Sequence, residues 1–402
     1  MGLTVGELVG YLRIDRNDWN RGLQAGEADL RGLDGRVGGI SRNMGLAVAA
    51  GVAVAAAGVV KLGKTSFDAF VDFDKGMREI FTLLPEMSGR AHRRMTGDVR
   101  EFALQMGIST EKVIPALYQS ISAGVPKNNI FEFLGTAQKL ARAGVTDLET
   151  SVNALTSVTS AYGRENLSAK RAADLLFAGV KQGKTTIGEL SASISDVTPL
   201  AAAMGVKFED VVAAVATVAT TTNSTSTATT QIKGLFAELA KGGTEASNAF
   251  ERISGGTLPE FISKGGDLQE ALQLMRDEAD RNNESVGDMF GSLEAGQGVL
   301  NLTGDAAKVF RDNLDAAADS AGGVDKAARI MSKSAAAAQE ALGAQWHDFK
   351  IDLGEELEPV IRDVTRFLKQ HGPEIADAIK GAFRGVVDFI DDVVGALERI
   401  DA

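Results

Sequence analysis

Apolar residues recur at helical spacing in runs of fifteen to twenty residues, and most runs stop at a glycine. That punctuation limits the chain to short helices joined by tight loops. Gly107, Gly124, Gly144, Gly163 and Gly205 each follow an amphipathic run. Glycine suits the left-handed position that closes a helix, and a small polar residue soon after it can cap the next one, as from Gly163 to Ser168. Aromatic residues make up only 6% of the 402 positions. Alanine is abundant, so runs that could build a sheet are scarce.

The middle of the chain repeats this plan. NNIFEFLGTAQKLARAG (128–144) places Ile130, Phe131, Leu134, Ala137 and Leu140 on one face. TDLETSVNALTSVTSAYG (146–163) does the same with Leu148, Val152, Leu155 and Val158. Such units suit short helices packed antiparallel. TVATTTNSTSTATT (217–230) interrupts the pattern. A tract this rich in Ser and Thr reads as a flexible loop, with an exposed helix start as the alternative. Residues 241–267 carry KGG and SGG breaks and read as loop with small helices.

The ends differ from the middle. Residues 5–14 read as a short strand or hairpin arm, followed by a polar helix with Leu23, Leu30, Leu33 and Val37 on one side. Residues 44–60 then carry no charge over seventeen positions, including Leu46, Val48, Gly51, Val52, Val54, Gly58, Val59 and Val60. This is the one transmembrane helix candidate and sits at the short limit for a bilayer. Its alanine and glycine weaken insertion, so a buried or self-associating helix is the reading favoured here. In the last sixty residues Trp346, Leu353, Val360 and Phe367 recur every seven, with Leu357 and Val364 between them. That stripe suggests coiled-coil-like packing against a partner surface.

The sequence offers little reactive chemistry. The net charge is -12, which disfavours a broad phosphate-binding surface, and no nucleic-acid binding is expected. The absence of cysteine excludes thiolate metal sites and disulfides. His92, His347 and His371 lie far apart and read as surface residues. GVKQGKTT (179–186) resembles a phosphate loop. Its first glycine would have to stand at position 178, where the chain has Ala178. Helix closure at Gly183 and capping at Thr185 or Thr186 fit better. The acid pairs Glu355–Glu356 and Asp391–Asp392 have no cleft-like context and read as solvated helix surface. No catalytic, cofactor-binding or metal residue is assigned, and the chain is expected not to be an enzyme.

Several segments, taken in order, resemble the core region of phage tail tape-measure proteins. They are FVDFDKGMREI (70–80), FALQMGISTEKVIPALYQSISAGV (102–125), the units at 140–163 and 168–219, and DMFGSLEAGQGVLNLTG (288–304). The most specific is V-x-P-x-A-x-x-x-G at 197–205. The family's Gly-rich helix start near 220–230 is replaced here by TTNSTSTATTQIKG. The resemblance covers roughly residues 65–310.

Together with the patterns above it gives a mainly α chain: residues 1–43 as strand plus polar helix, 44–64 as an apolar helix, 65–310 as a multi-helix core of short antiparallel helices, and 311–402 as longer amphipathic helices. It further implies a protein of the virion, in the lumen of the phage tail, made in the host cytoplasm. That protein scaffolds tube assembly, determines tail length and leaves during genome ejection. The partners implied are tail tube subunits, tail assembly chaperones, distal tail or baseplate proteins, and further copies of the chain. A host membrane is a possible partner, and permeabilisation of the host envelope is the alternative function. Drawn out as helix, the chain would reach about 600 Å. That is short for a ruler, so a fragment and a short representative both fit.

Overall fold

The computed structural model describes residues 42–359 and 361–362, with side chains from residue 62 onward. The strand expected at 5–14, the polar helix carrying Leu23, Leu30, Leu33 and Val37, and the acid pair Asp391–Asp392 lie outside the described residues. Among those described there is no strand, and about 80% of them are helical. It divides into two units, residues 1–65 and 66–402.

Of the first unit, the described part is the start of helix α1 (Arg42–Thr82), which runs on into the second. Its backbone is helical through the apolar segment 44–60. The transmembrane candidate does not stand. Among the described residues no helix is long and apolar enough to cross a membrane. Alanine and glycine add little to hydropathy per residue, so an uncharged stretch of seventeen is not by itself a span.

The second unit opens with the latter half of α1. Ala69, Phe73, Met77 and Ile80 recur every three or four positions there and are buried. Helices α2 (Gly89–Met106), α3 (Thr110–Ser122), α4 (Ile130–Ala143), α5 (Leu148–Tyr162) and α6 (Ala169–Gln182) follow. Next come α7 (Ile187–Ser193), α8 (Thr198–Ala203), α9 (Phe208–Thr222), α10 (Thr225–Ala240), α11 (Glu245–Ser254) and α12 (Leu258–Ser263). The chain continues through α13 (Leu268–Asn282), α14 (Leu293–Leu300), α15 (Ala307–Ala318), α16 (Gly323–Met331) and a long helix, α17, over 335–359.

The starts and stops follow local chemistry. Ser88, Asp147, Ser168, Ser224, Thr244 and Ser292 accept a backbone N–H of the helix they open. Thr186 with Glu189, Thr257 with Glu260 and Asp267 with Glu270 form reciprocal capping boxes. Gly107 closes α2 at φ +64°, a left-handed geometry that a side chain would strain.

Helix α9 is the centre. Every residue from Asp210 to Ala219 is buried, because α6, α10 and α15 all pack on it. A helix apolar all round has to sit inside. Against α10 lies α14, and glycine sets their distance. A Cβ on Gly298 would stand 2.9 Å from the Gln231 carbonyl oxygen, and one on Gly234 3.2 Å from the Ala295 nitrogen. Around α5 gather α3, α4, α7 and α8.

The Ser/Thr tract 217–230 is not a loop. It forms the end of α9 and the start of α10, broken only at Asn223, whose φ is +52°, and at the cap Ser224. Thr217 and Thr229 are buried. Each hydroxyl donates to the carbonyl four residues back, Thr217 to Ala213 at 2.7 Å and Thr229 to Thr225 at 3.1 Å. Self-satisfied hydroxyls can enter a core at low cost.

Candidate functional site

The described part of the chain holds its polar chemistry at helix ends. Asp174 lies on α6 and is 4% exposed. Its carboxylate accepts the Gly322 N–H at 2.9 Å and the Val324 N–H at 3.0 Å, so it caps α16 from some 150 residues away. Glu238 on α10 does the same for α14, accepting from Gly291 N–H at 2.7 Å, Ser292 N–H at 2.8 Å and the Ser292 hydroxyl at 2.5 Å. A carboxylate at a helix N-terminus meets unpaired donors and the positive end of the dipole. Neither tertiary cap could be read from sequence. Asp174 sits among Ala172, Ala173, Leu175 and Leu176, and an acid inside an apolar run is the one signal available.

The phosphate-loop lookalike is built as a helix junction. Gly183 closes α6 and Thr186 opens α7. The carboxylate of Glu189 accepts from Thr186 N–H at 3.2 Å, from the Thr185 hydroxyl at 3.2 Å and from the Thr225 hydroxyl at 3.0 Å. Lys184 donates to Asn223 at 3.2 Å. The donors that an anion would need are taken by an internal acid.

Two titratable groups sit in apolar surroundings near the start of α9. Asp210, in the first turn of α9, is driven up to about 7 by burial, helped by the charges of Asp267 and Glu209 and opposed by Lys207. Tyr162 is raised by burial and by Asp210. Its hydroxyl donates to the Val206 carbonyl at 3.0 Å, and its ring meets Phe208 edge-on at 5.6 Å. Such a pair can hold a proton, and the neighbouring acids Asp267 and Glu209 make it harder to give up.

The histidines stay apart. His92 stacks on Phe81 with ring centroids 4.0 Å apart. His347 is buried on α17 rather than on the surface, and burial lowers its pKa. His371 lies outside the described residues. Among the described residues no group of three or more His, Asp or Glu is placed to hold a metal ion. Two shallow depressions open on the surface. One is lined by Asp267, Glu270, Asp277 and Arg311, the other by Lys112, Arg142 and Glu340. Glu355 and Glu356 are exposed.

For the C-terminal stripe, Trp346 is 53% exposed, and Leu353 and Leu357 are half-buried. The inward face of α17 carries Ala344, His347, Ile351 and Gly354 instead. Val360, Val364 and Phe367 have no described side chains. The same holds for Leu46, Val48, Gly51, Val52, Val54, Gly58, Val59 and Val60, which share the helical backbone of α1.

What the geometry offers is assembly of helices, and the comparisons agree. The family model for phage-related minor tail protein matches residues 96–291. A protein of Clostridium phage phiCD119 described as a "probable tape measure protein" is 30% identical over 372 residues, or 90% of this chain. The chain belongs to the phage tail tape-measure family. Both comparisons point to the phage tail. The chain spans 38% of the length of the phiCD119 relative. No solved structure matches.

Proposed function

We propose that this tape-measure family member acts as the length-setting scaffold of the tail. Tube subunits would polymerise around it in the tail lumen, assembly chaperones would hold it beforehand, and distal tail or baseplate proteins would anchor one end. Several copies would associate, and the chain would leave ahead of the genome at ejection. The observation that carries this reading is the match to the phiCD119 protein across 90% of the chain.

A physical argument supports it. Helical segments linked by short loops give a contour proportional to residue number, at about 1.5 Å per residue when extended. The carboxylates of Asp174 and Glu238 cap helices, a role that needs no substrate.

The test is a set of phages carrying in-frame deletions in the helical C-terminal region. Tails measured by electron microscopy are expected to shorten in proportion to the residues removed, near the helical rise. Tails of unchanged length would refute the proposal.

A further inference from the structure

Ion pairs between different helices are unevenly distributed. Among those described, all but Arg171–Glu209 join the arm formed by α16 and α17 to the rest of the second unit. Asp325, in the first turn of α16, meets Lys139 of α4 at 2.8 Å and Lys170 of α6 at 3.6 Å. Glu340 of α17 meets Lys112 of α3 at 2.5 Å. Arg100 of α2 holds Asp348 and Asp352 together, each at 2.6 Å. His347 lies 3.9 Å from Glu111. Apart from His347 and Glu111, the acids are on the arm and the bases on the body, so the contact is mostly of one sign on each side.

The apolar part of the contact is thin by comparison. The arm buries Val324, Ala328, Ala344 and Ile351, all of them small or β-branched, with Gly354 set against the Ser66 carbonyl and Phe70. Its large side chains point outward, with Ile330 73%, Leu342 60% and Phe349 42% exposed. Partly exposed ion pairs weaken as salt rises, whereas packed apolar contacts do not.

We infer that residues 323–359 form a detachable arm, clasped to the helical body by charge, which opens as a unit while the body stays folded. Lys112 and Lys139 are half-exposed and Arg100 is the shielded member, so Arg100 is the latch. Opening would leave a basic footprint on four helices and bare the inner face of α17. The body would keep its own core, because α9 packs on α6, α10 and α15, and α10 packs on α14.

The chain has no cysteine, so spin labels can be placed at will. Gln105→Cys on α2 and Gln345→Cys on α17, both exposed, report docking in the full chain. Between about 50 mM and about 1 M salt the open population is expected to rise about tenfold. Far-UV circular dichroism and the melting of the body should not change. Lys112→Gln with Lys139→Gln, both on exposed side chains, should raise the open fraction at low salt. Arg100→Glu should open the arm further, and adding Asp348→Arg and Asp352→Arg should close it again. A label distance that ignores salt would overturn the inference. So would loss of arm and body in one transition, or failure of the charge exchange to restore docking.

Discussion

The centre of the second unit and its C-terminal arm are both helical, but different forces hold them. At the centre, α9 is buried on all sides and α10 meets α14 through Gly234 and Gly298 at backbone distance. Few charges take part. In the arm, α16 and α17 lie on the body through opposite charges, a buried carboxylate cap and a row of small residues. Close packing is intolerant of any added atom and indifferent to salt. A charged contact tolerates changes of shape and answers to the solvent. One chain can thus keep a fixed body and still present a segment that changes partner.

The comparison breaks first at Gly298. Gly298→Val would drive a side chain into the Gln231 backbone, and equilibrium denaturation should show a loss of about 3 kcal/mol or more. A variant of near-native stability would mean that α10 and α14 do not fit as described. Next is Asp174→Ala, which strands the Gly322 and Val324 N–H groups. It should cost about 2 kcal/mol and free α16 selectively, visible as faster hydrogen exchange there. A uniform loss across the body would show that the arm is not a separate unit.

Asp210 sharpens the contrast with a pH dependence seated at the centre. Its folded pKa is raised to about 7, far above its ordinary carboxylate value of 3.8. The folded state therefore binds the proton more tightly than the unfolded one. Its contribution to stability is fullest below about pH 4 and fades as pH climbs through about 7. Asp210→Asn should flatten that slope and stabilise the protein by roughly 1–2 kcal/mol at about pH 8, measured by denaturant titration. A variant whose stability still falls between about pH 4 and 7 would place the titrating group elsewhere. Smallest is Trp346→Ala. Because that ring is half exposed and stacks only on Phe349, at 5.3 Å, stability should stay within about 0.5 kcal/mol. A larger loss would show that the outward face of α17 is packed.

Much of the body was legible in sequence because period and burial coincide. Leu148, Val152, Leu155 and Val158 lie on one stripe and are all buried. Gly107, Gly144 and Gly163 mark true helix ends. The threonine tract was not legible. A hydroxyl paired with its own helix and one bound to water look alike in a string of letters. The arm misled differently. A heptad of large residues selects Trp346 and Leu353, while the contact is made by Ala344, His347, Ile351 and Gly354, which allow close approach. The caps at Asp174 and Glu238 depend on partners far along the chain, and no local pattern encodes them.

The division between packing and charge can be measured directly by hydrogen exchange on the full chain at low and high salt. The account predicts that amides of α9 and α10 exchange at the same slow rate in both, while those of α16 and α17 accelerate about tenfold at high salt. Equal protection of the arm in both conditions, or acceleration of α9 alongside it, would contradict the account.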